Sequence, residues 1–172
     1  MAKGVQRRRS DLQRIPAMLC GLYRTTVPMR GHADHLGADQ LVMLHDHRPE
    51  SMPYVLFPAR NEHNQWMFDD DPHTAEDADF LQGLVSLRPE GYYVLTEDLA
   101  LSDDPDHKLA ERSLVMVGYT RQGRVLLYPA RFQGLTVLFG ADGYPFDPDD
   151  VFDLLVPVNF DVPATGEDRT LH

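Results

Sequence analysis

Short apolar runs, each about the length of a β-strand, recur along the chain and are separated by polar turns. In the first half they occupy residues 21–27, 41–44, 54–57, 66–68 and 84–87. β-Branched and aromatic residues are frequent in these runs, which favours strands over helices. The pattern therefore predicts a mainly β protein.

One of these runs occurs twice. Residues 54–60 read YVLFPAR, and residues 125–131 read VLLYPAR, 71 positions later (125 − 54). The apolar run at 41–44 similarly has a partner at 114–117, 73 positions later. Self-similarity at a nearly constant spacing predicts an internal duplication. The alternative is that two β-rich segments share only their composition, but the recurring Pro-Ala-Arg after an apolar strand argues against it.

Each half also carries a signal for a short helix before its last strand. In the second half, Asp147 provides a cap, and Pro148 stands at the first helical position, before two further acids. In the first half, Thr74 and Asp77 resemble a capping box, in which Asp77 stands where Glu is commoner. We therefore expect each unit to contain five short strands, with one helical turn before the last strand.

This layout resembles that of Src-homology-3-like small barrels, over about residues 20–159. The resemblance implies two tandem, duplicated small β-barrel units, which should pack together because the junction between them is short. The expected organisation is a basic flexible arm at 1–19, a first barrel repeat at 20–90, a second at 91–160 and a flexible tail at 161–172.

Peptide-binding members of that class hold proline-rich ligands in an aromatic groove. The aromatic residues that this chain offers for such a groove do not form the expected pattern; they are Tyr23, Trp66, Tyr92 and Tyr93. Binding of proline-rich peptides is therefore not carried over to this chain.

The net charge narrows the choice of partners. The chain has 172 residues and a formal net charge of −11. Residues 1–19 contain five basic residues and one acid, a net +4, which leaves −15 (−11 − 4) for the remainder. An acidic body lacks the basic face that binds nucleic acid, so direct binding to DNA or RNA is not expected of it. The basic arm is expected to be solvated or to dock on an acidic surface.

No run approaches 18 consecutive apolar residues, so no membrane-spanning helix is expected. Cys20 is the only cysteine and can form neither an internal disulfide nor a cysteine-only zinc cluster. These features favour a cytoplasmic protein, and we expect the Cys20 side chain to be buried as a small hydrophobe.

Histidine is the most unusual feature, because six of the eight histidines lie in the first half. His45 and His47 are two positions apart, so in a strand they project from one face. His32 and His35 lie in the preceding loop. Together with a neighbouring aspartate, these four imidazoles have the chemistry to bind zinc or another transition metal. The alternatives are solvent-facing loop histidines and a pH-responsive surface.

The charged residues suggest contact with a partner more than they suggest catalysis. Asp103, Asp104 and Asp106 form an acidic loop tip that is expected to meet basic residues of a partner. Arg60 and Arg131 recur in the two repeats and are expected either to pair with carboxylates or to bind an acidic partner segment. No nucleophile motif, phosphate-binding loop or dinucleotide fingerprint occurs, which disfavours an enzyme.

Two functions follow from these observations. The first is a non-catalytic module for protein interaction, regulation or assembly, which needs no cofactor and binds a protein partner or other copies of itself. In one variant, the acidic body mimics nucleic acid and occupies a basic surface. The alternative is a small metal-binding protein or metal-dependent enzyme that uses the histidine-rich loop and strand, with zinc or another transition metal as its cofactor.

Overall fold

The computed structural model describes Leu12 and residues 15–30, 37–102, 104 and 106–159. Most of the predicted arm and tail, as well as His32, His35 and Asp103, lie outside the described residues. The described chain is mainly β and contains several antiparallel sheets, as predicted. None of these sheets closes into a barrel within the described ranges, so the strand pairing does not show the expected closed units.

The first half contains seven described strands and one short helix. They are β1 (Gly21–Thr25), β2 (Leu41–His45), β3 (Tyr54–Leu56), β4 (Pro58–Glu62), β5 (Gln65–Phe68), β6 (His73–Thr74), α1 (Ala78–Gln82) and β7 (Leu84–Ser86). Five of the strands form one sheet in the order β6-β3-β2-β1-β7, and β4 and β5 form a separate hairpin.

The second half contains eight described strands, a helix and a 3-10 turn. They are β8 (Gly91–Leu95), β9 (Leu99–Ala100), β10 (Lys108–Leu109), β11 (Leu114–Tyr119), β12 (Val125–Gln133), β13 (Thr136–Phe139), β14 (Tyr144–Phe146), α2 (Pro148–Val151), the turn Phe152–Leu154 and β15 (Leu155–Pro157). Its main sheet runs β12-β11-β8-β15, with β13 and β14 both paired to β12. β9 and β10 pair with each other.

The two main sheets have the same relative strand order. β6-β3-β2-β1-β7 in the first half corresponds to β14-β12-β11-β8-β15 in the second. The registers also correspond. Gly21 lies opposite Leu44 in the first sheet, as Gly91 lies opposite Val117 in the second. Two residues are called counterparts below when they hold the same place in these two pairing schemes.

The two Pro-Ala-Arg stretches differ by one residue in register. In the first stretch the ladder shifts between Pro58 and Arg60, which is a β-bulge, whereas β12 continues as one strand through its Pro-Ala-Arg. A bulge adds one residue to its strand. The offset between the halves is therefore 72 before the bulge and 71 after it, so Arg60 and Arg131 are counterparts but Pro58 and Pro129 are not.

Burial agrees with this corrected register. Val55 lies opposite Leu44, and Leu127 lies opposite Val117. All four of these side chains are fully buried. Leu56, which the uncorrected repeat alignment makes equivalent to Leu127, is only partly buried.

The two helices lie where they were expected, but one of them begins differently. Asp77, and not Thr74, caps α1, because the Asp77 carboxylate accepts a hydrogen bond from Asp79 N at 3.1 Å. Thr74 instead pairs with Tyr54 in the sheet, so the predicted capping box is wrong. Helix α2 begins at Pro148 as predicted.

Two clusters of buried apolar side chains stabilise the molecule. One belongs to the first half and includes Leu12, with Ile15 and Met18 packed against it. The other cluster combines second-half residues with Leu22 and Leu41 from β1 and β2. The two halves therefore share a core. No helix among the described residues is long and apolar enough to cross a membrane.

Candidate functional site

The first hairpin, β4–β5, docks on the second half of the chain. Trp66 Nε1 donates a hydrogen bond to Tyr119 O at 2.7 Å. Trp66 N donates to the carboxylate of Glu90, at the junction of the two halves, at 3.0 Å. Asn64 Nδ2 donates to Gly140 O at 3.2 Å. The hairpin is therefore held along both its second strand and its turn.

Close packing under this hairpin depends on a glycine. A Cβ atom at Gly118 would lie 2.6 Å from Asn64 O, which is closer than real Cβ contacts come. A side chain at this position of β11 would push the hairpin away. Glu90 is also partly enclosed here, and burial raises its pKa to about 7, although the hydrogen bond from Trp66 acts in the opposite direction.

The second hairpin, which comprises residues 130–139 of β12 and β13, is exposed and apolar. Its large exposed side chains are Phe132 (70 % exposed), Leu135 (107 %), Val137 (39 %) and Leu138 (46 %). Arg131 is the only charged residue between positions 128 and 140. A contiguous exposed apolar patch is typical of an interaction site.

Both edges of this hairpin lack strand partners among the described residues. β13 pairs only with β12. β12 pairs with β11 no further than Pro129, which lies opposite Val115, so residues 130–133 pair with β13 alone. Unpaired backbone groups at such edges can hydrogen-bond to a strand of another chain.

The two hairpins hold counterpart positions but have different environments. Trp66 pairs across the first hairpin with Asn61, and Val137 pairs across the second with Phe132. Trp66 contacts the other half of the chain, whereas Phe132 and Val137 are exposed to solvent. The hairpin face that is used within the chain in the first half is thus exposed in the second.

The arginines predicted to bind a partner lie on these hairpins. Arg60 is exposed, and its Nε atom lies 2.9 Å from Glu62 Oε1, which is also exposed. An exposed ion pair of this kind contributes little to stability. Arg131 is exposed and lies opposite Leu138. Both side chains are accessible to a partner, and contact with an acidic segment remains a prediction.

The acidic loop between β9 and β10 is exposed and organised by turn hydrogen bonds. Asp104 accepts a hydrogen bond from Asp106 N at 3.0 Å, and Asp104 N donates to Ser102 Oγ at 3.3 Å. These are the turn roles expected of such residues. Contact of Asp104 and Asp106 with a basic partner remains a prediction.

His45 and His47 lie together at the end of β2. Their rings are 6.0 Å apart, and the His45 ring stacks on Tyr54 at 4.9 Å. His32 and His35, the other two predicted ligands, lie outside the described residues.

Cys20 is the residue that sequence reasoning misjudged. Its side chain is exposed and not buried, and its Sγ atom lies 3.8 Å from His47 Nε2. Because β1 and β2 are antiparallel, the residue that precedes β1 comes next to the residues that end β2. Both strands were predicted from the sequence, so their antiparallel pairing could have indicated that Cys20 lies near His45 and His47.

No protein-family model, curated protein or solved structure matches the chain.

Proposed function

We propose that this protein is a non-catalytic assembly module whose exposed second hairpin docks on the same hairpin of a second copy of the chain. The observation that carries the proposal is the contrast between the two hairpins. One is docked within the chain through Trp66, whereas the other exposes four large apolar side chains at a free sheet edge.

The proposal includes an internal duplication into two related units of Src-homology-3-like layout. The shared strand order of the two main sheets supports it, as do the corresponding registers and the helix before each last strand. A duplicated unit has two hairpins of the same kind, and the chain itself provides a docking surface for one of them.

The charge distribution makes the second hairpin the surface on which two copies can meet. Two chains of net charge −11 repel each other over most of their surfaces. The second hairpin is the exception, because it carries no acid and only one base, Arg131. Two such hairpins can meet without placing carboxylates against each other.

The geometry suits a two-fold arrangement. Most soluble homo-oligomers are closed and symmetric, and a two-fold interface joins the same patch of both subunits. Strand β13 is an antiparallel edge strand, so it can pair with β13 of the second copy. Such pairing would satisfy the free backbone groups of β13 and bring Val137 and Leu138 next to strand β13 of the second copy, one on each face of the joined sheet.

Sedimentation velocity of the full chain over a wide range of concentrations tests this proposal. The test variant is Phe132→Lys with Leu138→Lys. The matched control is Asn61→Lys with Met67→Lys, which adds the same charge at the exposed counterpart positions of the first hairpin. We expect wild type and control to dimerise and the test variant to remain monomeric, with its circular dichroism spectrum unchanged.

A wild-type protein that stays monomeric throughout would refute the proposal, as would a test variant that dimerises like wild type. If the monomer instead binds a basic peptide in a salt-sensitive manner, the acidic loop with Asp104 and Asp106 becomes the interaction site. That result would also replace the second copy with a basic partner.

A further inference from the structure

Three side chains with metal-binding atoms converge at one end of the first main sheet. One ligand atom from each of Cys20, His45 and His47 can be chosen so that all three lie within 4.8 Å of one another. Cys20 and His47 are exposed, and His45 is partly exposed, so an ion could reach them from solvent.

The separation of these atoms suits a small tetrahedral ion. Zinc binds thiolate at about 2.3 Å and imidazole at about 2.0–2.1 Å, so tetrahedral geometry places the sulfur and nitrogen roughly 3.6 Å apart. Cys20 Sγ and His47 Nε2 are 3.8 Å apart. One thiolate with two imidazoles is a donor set that selects zinc over magnesium or calcium.

The fold holds Cys20 in place through Asp46. Asp46 N lies 3.4 Å from Cys20 Sγ and donates a hydrogen bond to it. The Asp46 carboxylate is fully enclosed and pairs with Arg48 at 2.6 Å. It also accepts a hydrogen bond from Met18 N at 2.8 Å. The segment that carries Cys20 is thereby fixed beside the histidines.

His45 is positioned from the opposite side. It lies across the ladder from Tyr54, and the two rings stack at 4.9 Å. Both sides of the cluster are thus fixed by contacts that do not involve a metal. A preformed ligand set binds its ion without the cost of ordering the chain first.

We propose that Cys20, His45 and His47 form a three-ligand zinc site whose fourth position is open to water or to a ligand from another molecule. The site differs from the histidines and aspartate expected from the sequence, because it includes the cysteine. It does not depend on the second hairpin, so it stands or falls independently of the proposed dimer. An open fourth position is typical of catalytic zinc sites and unlike closed structural ones.

Zinc titration of the untagged full chain, together with metal analysis after dialysis, tests the site. We expect one zinc ion per wild-type chain. Cys20→Ser and His47→Gln should each weaken zinc binding by more than about 100-fold, because even the loss of an outer-shell partner costs about 10–100-fold. Asp46→Asn weakens the anchor of the segment that carries Cys20 without changing a ligand, so it should weaken zinc binding less than either of these substitutions. His107→Gln is the matched control, since His107 is an exposed histidine elsewhere in the chain, and it should bind zinc like wild type.

Two further readouts separate a built site from weak surface binding. Cobalt should give the absorption of a tetrahedral cobalt–thiolate complex, which Cys20→Ser should lose. Zinc should also block alkylation of Cys20, and a chelator should restore it. Wild-type protein that retains no zinc would overturn the proposal, as would equal loss of zinc in His107→Gln and His47→Gln. Alkylation of Cys20 at the same rate with and without zinc would overturn it as well.

Discussion

The pKa of Glu90 depends on the contact between the two halves. Its carboxylate is partly enclosed beneath the first hairpin and accepts a hydrogen bond from Trp66 N. Burial is the main reason that its pKa is raised to about 7 from an ordinary value of 4.5. The folded protein therefore holds a proton on Glu90 more tightly than the unfolded chain does.

Glu90→Gln should make the protein more stable above pH 7 and change it little below pH 4.5. Because the folded pKa is the higher one, wild-type stability from this group is fully present below 4.5 and is lost as the pH rises to about 7. After allowance for partial exposure, we expect a gain of about 1–2 kcal/mol at pH 8. Urea unfolding at pH 5 and pH 8 measures it. A gain that is equal at both values would contradict this account.

Asp46 should show the opposite dependence on pH. Its hydrogen bond with Arg48 is the main reason that its pKa is lowered to about 2 from 3.8. Its contribution is therefore present above 3.8 and is lost as the pH falls through about 2. Asp46→Asn should cost about 2 kcal/mol at pH 7 and progressively less below pH 4. Thermal unfolding of both proteins across this range tests the prediction, and a constant difference in stability would disprove it.

At the scale of the elements, the β-bulge decides which side chains form the core. Because of the bulge, the counterpart of Leu127 is Val55 and not Leu56. Leu127 and Val55 are fully buried, whereas Leu56 points to the other face of its strand and is only partly buried. Leu127→Ala should cost about 2–5 kcal/mol, and Leu56→Ala should cost less than about 2 kcal/mol. Chemical denaturation of both variants gives the comparison. Equal costs would show that the uncorrected alignment holds.

The contact between β11 and the first hairpin makes a second prediction at this scale. Gly118→Ala would place a Cβ atom against Asn64 O, so it should destabilise the protein by about 1–3 kcal/mol. Gly140→Ala is the control, because a Cβ atom there meets only ordinary contacts of 3.7 Å or more. Its effect should stay within about 1 kcal/mol. Similar costs at both glycines would mean that the first hairpin can shift to accommodate a Cβ atom at position 118 without loss of stability.

The sequence predicts the strands and helices far better than it predicts the sites. Apolar runs and the signal at Asp147 and Pro148 are local, so they indicate the elements directly. A bulge does not change composition, so the alignment of Leu56 with Leu127 could not reveal it. The neighbourhood of Cys20 depends on the pairing of β1 with β2, and the difference between the two hairpins depends on what packs against each.

At the scale of the whole molecule, the shared core should make unfolding cooperative. Leu22, Leu41 and Leu87 of the first half are buried together with side chains of the second half. We expect a single calorimetric transition whose van't Hoff and calorimetric enthalpies agree. Two transitions, each reproduced by an isolated half of the chain, would show that the halves fold independently.

The glycine under the first hairpin also bears on how far copies of this chain can join in series. In the second sheet Val117 lies opposite Gly91, and the next residue is Gly118. In the first sheet Leu44 lies opposite Gly21, and the next residue is His45, which is therefore the counterpart of Gly118. A foreign hairpin that approached β2 as the first hairpin approaches β11 would therefore meet an imidazole ring, stacked on Tyr54. We therefore expect this end of the molecule to disfavour head-to-tail growth into a fibre, and association to end in closed pairs.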